Sequence, residues 1–143
     1  NNHDFTHTNY QIIDDNFKIK GSFKVKDKIY YDDLIKSCDI SLSSVICNKS
    51  LLKKNKFPSL KTKEDYALWL KIIKHNKFFC GFNKNLSYWR QTKNSLSSST
   101  FQKILDAFKL YYIHQKFSLI KSCYFTFRLT IYALIKKMNI YLH

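Results

Sequence analysis

The sequence is 143 residues long, room for one domain of ordinary size. Apolar residues make up 45% of it, with 12 Phe, 10 Tyr and 2 Trp, which supplies a core and excludes general disorder. Two Gly and one Pro exclude collagen-like chains and flexible linkers, and the absence of G-x-G-x-x-G or G-K-[ST] disfavours a glycine-rich phosphate loop. The net charge is +15, carried by Lys at every basic position but Arg90 and Arg128. Lys acts as a solvated point charge where Arg forms a planar fork, so this excess suits general attraction to anions better than base-specific reading. The richness in Lys, Asn, Ile and Phe is equally that of an AT-rich genome, and net charge speaks to partners, not to fold. Cys38, Cys47, Cys80 and Cys123 have no zinc-ligand or redox-motif spacing, which makes them free thiols of a reducing compartment.

From the N-terminus, Phe5 to Ile13 is rich in Thr, Tyr and Ile and reads as a strand, followed by a turn at Asp14-Asp15-Asn16. Phe17 to Val25 returns as a second strand with Lys outward. Tyr31 to Cys38 reads as a short helix, Ser43 to Cys47 as a short β-branched run, and Lys49 to Lys54 as another helix, with Pro58 in a loop. The strongest helix signal runs from Glu64 to His75, with Thr62 before it as N-cap. Lys77 to Asn83 and Leu86 to Arg90 are two aromatic strands around a short polar turn. Ser95 to Thr100 is a polar entry to a helix over Phe101 to Gln115, and Ser118 to Met138 is a third long helix. There is no initiator Met and the first residues already look like strand, which predicts a trimmed chain or one that begins inside a larger protein.

The last helix has an apolar run of 13 residues, Cys123 to Ile135, interrupted by Arg128, which is too short and too polar to cross a bilayer. Flanked by Lys121, Lys136 and Lys137, it reads as a helix lying on a membrane surface or packing on the domain. Its far face also carries Phe125, Leu129 and Tyr132, which tips the expectation towards membrane contact.

Few residues have the spacing that chemistry needs. His3 and His7 would stand about 13 Å apart in a strand, too far for one ion. No Ser-His-Asp or Cys-His arrangement stands out. The informative segment is Lys63-Glu64-Asp65-Tyr66-Ala67-Leu68-Trp69-Leu70-Lys71-Ile72, where two adjacent carboxylates open an amphipathic helix. Standing alone, acids there complement the helix dipole, and Thr62-x-x-Asp65 resembles a capping box.

The order of the surrounding motifs changes that reading. Thr8-Asn9-Tyr10 in a strand is followed by Ser43-Ser44-Val45-Ile46, then Glu64-Asp65-Tyr66-x-Leu68-Trp69-Leu70, then Leu86-Ser87-Tyr88-Trp89-Arg90 and Ser95-Leu96-Ser97-Ser98. The series resembles the C-terminal half of family 2 glycosyltransferases, the bacterial surface-polysaccharide type with the GT-A fold. The likeness runs from about Phe5 to Lys137, and its specificity lies in order and spacing. It implies an α/β chain with a mixed sheet, flanking helices and a C-terminal helical tail, divided as an acceptor-side half over residues 1–100 and basic amphipathic helices over 101–143. It also implies inverting transfer of a sugar from a nucleotide-sugar to a glycan or lipid-linked acceptor in surface-glycan biosynthesis. The base is then Asp65, with Glu64 orienting the acceptor, and a helix dipole would keep Asp65 ionised. Arg90 supplies a fork for phosphate or carboxylate, with Trp89, Ser95, Ser43 and Ser44 as further substrate-binding residues.

The family's Asp-x-Asp motif, which holds Mg²⁺ or Mn²⁺ on the donor diphosphate, is missing. Asp14-Asp15 and Asp32-Asp33 are adjacent pairs in the wrong places. The resemblance therefore predicts a fragment with the acceptor side and the base but without the donor site, cytoplasmic or peripheral at the inner face of the membrane. The metal is expected of the complete enzyme alone. The competing reading is a non-catalytic basic module on an anionic membrane surface or nucleic acid, served by Tyr30-Tyr31, Phe78-Phe79 and Tyr111-Tyr112. Nucleic acid is the less expected partner.

Overall fold

In the computed structural model, which describes residues 3–92 and 99–141, nine residues of β1, Phe5–Ile13, organise a five-stranded mixed sheet. Thr, Tyr and Ile suit a pleated surface buried on both sides, and β1 is buried along most of its length. One edge of β1 is shared by two antiparallel partners. β2 (Ile19–Phe23) pairs with Tyr10 to Ile13, and β4 (Val45–Cys47) pairs with Phe5 to His7. The other edge takes β5 (Phe79–Arg90) in parallel, and β3 (Lys28–Ile29) closes the far side of β5.

The hairpin from β1 to β2 is tied at Asp14, whose Oδ1 accepts the N–H groups of Asn16 and Lys18 at 3.0 and 2.9 Å. This is the Asx chemistry that the Asp14-Asp15-Asn16 turn predicts. β2 itself is shorter than the predicted Phe17–Val25 strand, because the hairpin turn holds Phe17 at φ 60°. β5 is one strand where the sequence predicts two. The polar residues at 83–85 make register irregularities, with Thr8 opposite Phe82 but Asn9 opposite Asn85 and Tyr10 opposite Ser87. A bulge absorbs extra residues without ending the strand, and the sequence signal of a bulge and a turn is the same. At the same level Asn9 accepts from the Val25 N–H and donates to Asn83 Oδ1, both at 2.8 Å.

Helix α3 (Glu64–Ile73) connects the sheet to β5 and is buried almost all round, with Tyr66 to Leu70, Ile72 and Ile73 all inside. A helix with no wet face belongs between two layers. On one side the Trp69 ring meets Phe5 edge-on at 5.0 Å, and Phe5 stacks on Phe79 at 3.7 Å. On the other, the Tyr66 hydroxyl donates to the Leu34 carbonyl at 2.7 Å and lies 3.2 Å from the Tyr111 hydroxyl, which donates to the Ile35 carbonyl at 3.0 Å. These bonds hold α3 to the end of α1 (Tyr31–Leu34), which stops short of the predicted Cys38. The predicted Lys49–Lys54 helix is α2, capped by Asn48 accepting from Ser50 N–H at 3.0 Å.

The C-terminal helices α4 (Thr100–Lys109) and α5 (Leu119–Tyr141), linked by a wide π-helical turn over Leu110–His114, put Ala107, Leu110, Tyr111 and Leu129 into the same core as α3. Among the described residues no helix is long and apolar enough to cross a membrane.

Gly81 marks a close approach of two backbone segments. Its N–H donates to the Asp27 carbonyl at 2.8 Å, and a Cβ there would overlap the Lys26 carbonyl oxygen. Gly81→Ala is therefore expected to cost about 2 kcal/mol, the scale of overpacking, measured as a loss of denaturant midpoint at constant slope.

Candidate active site

The start of α3 is built differently from its sequence signal. Thr62 does not cap the helix. Its N–H and its hydroxyl both donate to Asp106 Oδ2, at 2.8 and 2.9 Å, while Gln102 Nε2 donates to Asp106 Oδ1 at 2.9 Å. A buried carboxylate on α4 is a stronger acceptor than water or a helix end, so it draws Thr62 out of the predicted capping box. The N-cap position passes to Lys63, held in the left-handed region at φ 65° and ψ 17°. That conformation costs a non-glycine residue about 1 kcal/mol, which the Asp106 clamp offsets. Burial works to raise the Asp106 pKa, but the hydrogen bonds from Gln102 and Thr62 outweigh it, and the carboxyl sits below its ordinary range.

Glu64 and Asp65 stand in the first turn of α3, both half-buried. Asp65 Oδ1 accepts the N–H of Tyr66 at 2.7 Å. The dipole was expected to keep this carboxylate easily ionised; instead burial dominates and raises its pKa above the ordinary value, with Glu64 adding to the rise and Lys63 opposing it. A carboxylate so placed is a better proton acceptor than one in water.

The surroundings add residues that motif reading misses. The Lys63 ammonium is lowered by burial and by Lys103, against the pull of Cys38, Asp65 and Asp106. The Cys38 thiol is pushed well up by burial, with Asp65 reinforcing it, and lies 3.7 Å from the Ile40 carbonyl. It is a neutral, inert neighbour. Asp39, the next residue, accepts from the Tyr132 hydroxyl at 3.3 Å and from Lys136 Nζ at 3.0 Å. It lines a cleft of about 240 Å³ together with His7, Lys24, Lys26, Asp33 and Tyr132. Asp65 is not among the residues that line this cleft. Only proximity in the fold joins α1, α3 and α5 here, and no local sequence pattern could announce it.

His7 carries a clear pH signature. It is fully buried, neither ring nitrogen has a hydrogen-bond partner among the described residues, and burial pushes its pKa down to about 4. The unfolded chain takes up a proton near pH 6.5 and the folded one only near 4, so stability is lost as pH falls through that window. The loss should total about 3 kcal/mol, and His7→Leu should flatten it in urea melts across that range.

The other sequence candidates are dispersed. Ser43 and Ser44 lie on a 3-10 turn before β4, where the buried Ser44 hydroxyl donates to the Ser41 carbonyl at 2.8 Å and Ser43 bonds the Ser41 hydroxyl at 3.0 Å. Trp89 and Arg90 are exposed at the C-terminal end of β5, opposite Ile12 and Ile13. Among the described residues no contact joins either to Asp65. Ser95 lies outside the described residues. For a divalent cation, the Asp14 carboxylate is already taken by backbone N–H groups and Lys20, and Asp33 by Lys26 and the Tyr30 N–H. No group of three or more potential ligands occurs among the described residues.

An α/β chain with a mixed sheet, flanking helices and a carboxylate pair opening its central helix is compatible with a GT-A-like fold, and sequence comparison gives the class: the chain is homologous to bacterial glycosyltransferases. It is 39% identical over 107 residues to the Escherichia coli UDP-Glc:alpha-D-GlcNAc-diphosphoundecaprenol beta-1,3-glucosyltransferase WfgD, covering 73% of this chain and 41% of that protein. To WfaP, of the same description and organism, it is 37% identical over 103 residues, 71% of this chain and 39% of the relative. The putative teichuronic acid biosynthesis glycosyltransferase TuaG of Bacillus subtilis is 25% identical over 99 residues, 68% and 39%. The chain thus spans about two-fifths of the length of these curated relatives. No protein-family model and no solved structure matches it.

Proposed function

We propose that this chain is the acceptor-side half of an inverting, GT-A-type glycosyltransferase of surface-glycan assembly. On this reading the donor is a nucleotide-sugar such as UDP-glucose, and the acceptor is a sugar hydroxyl on a lipid diphosphate, the substrates named for WfgD and WfaP. The observation that carries it is Asp65, a half-buried carboxylate of raised pKa at the head of the buried helix α3. Inverting transfer needs a base on the face opposite the departing nucleotide. Asp65 takes the proton of the acceptor hydroxyl as its oxygen forms the new bond to the anomeric carbon and the bond to the diphosphate breaks. Glu64 orients the acceptor, and Lys63 moderates the field at Asp65. Arg90, Trp89, Ser43, Ser44 and Ser95 belong to substrate binding in the assembled enzyme, and residues 1–100 and 101–143 to its acceptor half and basic tail. Mg²⁺ or Mn²⁺ belongs with the donor-side half, at the cytoplasmic face of the membrane. Homology favours this reading over a non-catalytic basic module.

The test is transfer of radiolabelled glucose from UDP-glucose to a synthetic GlcNAc-diphosphate lipid. A protein carrying both halves should form the product with inversion, and the 143-residue chain by itself should not. Turnover by the isolated chain would overturn the division into halves.

A further inference from the structure

Helix α5 is covered by the core on one side and apolar on the opposite, exposed side. Ser122, Thr126 and Leu129 face the core and are buried. At 100° per residue, Ile120, Tyr124, Phe127, Ile131, Leu134 and Ile135 fall within an arc of about 100° on the far side. All six are exposed, Ile120 by 83% and Phe127 by 70%. Scattered exposed apolar residues need no explanation, but a continuous stripe along a helix marks a surface built for a partner.

The charges around the stripe say which partner. From Ala107 to His143 the sequence contains no Asp or Glu, while Lys109, Lys116, Lys121, Arg128, Lys136 and Lys137 all fall in that stretch. Lys116 and Lys121 are exposed, and Lys121 Nζ sits over the Phe117 ring at 4.2 Å from its centre. Arg128 and Lys136 border the stripe on the side towards the core, held by the Lys36 carbonyl and by Asp39. An apolar stripe flanked by cations, with no carboxylate in the sequence of its own helix, and on a helix that cannot span a bilayer, complements an anionic lipid surface.

We propose that the outer face of α5 lies in the interface of an anionic membrane, with Ile120, Phe127 and Ile131 in the acyl boundary and Lys116 and Lys121 among the headgroups. This surface is separate from the Asp65 site and does not depend on sugar transfer. It would hold that site beside acceptors that are themselves part of the membrane.

The test is co-sedimentation of the chain with vesicles of equal parts phosphatidylcholine and phosphatidylglycerol, beside vesicles of phosphatidylcholine alone. Binding should require the anionic lipid and weaken with added salt. The double substitution Lys116→Glu and Lys121→Glu should weaken it by about fivefold or more for each residue changed. Ile120→Glu with Phe127→Glu should weaken it at least tenfold by removing the apolar anchor, an order-of-magnitude expectation from buried area, with unchanged circular dichroism. Lys53→Glu with Lys54→Glu, on the exposed side of α2, should do far less. Pelleting without vesicles, equal binding to neutral vesicles, or full binding by the Ile120 and Phe127 variant would each overturn the proposal. So would a dimer that this variant dissociates in a chain that binds no vesicles, since the face would then belong to a second copy.

Discussion

Asp65→Asn should lower transfer by about 10² to 10⁴ in a protein carrying both halves, the range for loss of a positioned general base, while leaving the fold intact. The stability side of the same substitution has a defined sign. Burial raises the Asp65 pKa, so its ionisation is harder in the folded chain than in the unfolded one. Such a group favours the folded state while protonated and loses that contribution as pH rises through its folded pKa. Asparagine never ionises. The variant should therefore melt at or slightly above the wild-type temperature at neutral pH, and that advantage should vanish in acid. Near-normal turnover would remove the base from the mechanism. A large fall in melting temperature would make the residue structural. Glu64→Gln is the companion measurement, expected to affect rate less.

Asp106→Ala should be the most damaging single change to stability outside the aromatic core, about 4 kcal/mol. The carboxylate receives three hydrogen bonds, and its removal leaves the Thr62 N–H, the Thr62 hydroxyl and the Gln102 amide without their acceptor in a buried setting. Asp106→Asn should recover part of the loss, because its oxygen can still accept from Thr62 while its amide nitrogen would face the Gln102 amide, donor against donor. Chemical denaturation of the three proteins orders them. With the clamp gone, Lys63 loses what offsets its left-handed backbone, so the start of α3 should also gain hydrogen exchange.

Much of the fold was legible because β1, α2 and α3 are local statements. Phe5 to Ile13 carries its β-branched and aromatic residues without interruption, Asn48 supplies a cap, and the Glu64-Asp65 pair opens an apolar run. What escaped is long-range. Nothing between residues 83 and 85 separates a turn from a bulge, since only pairing with Asn9 across the sheet decides it. Thr62 carries a capping signature that an acid 44 residues away overrides. The shift of Asp65 upward rather than downward is set by how much protein covers it, which the local pattern around residue 65 does not carry. Cys38 and Lys63, which interact with Asp65, and Asp106, which interacts with Lys63, come from the loop after α1, the N-cap of α3 and α4, with no shared motif.

The split edge of β1 has a mechanical meaning. Between the stretch paired with β4 and the stretch paired with β2, the amide of Asn9 spans the gap, holding the Val25 backbone with one atom and Asn83 with the other. A side chain here does what a ladder of main-chain bonds does elsewhere in the sheet. The two ends of the strand keep different neighbours on that edge, one the hairpin partner β2 and the other β4, while β5 runs along both on the opposite side. The edge is thereby interrupted without opening the sheet, because β5 backs both stretches from Thr6 to Ile13.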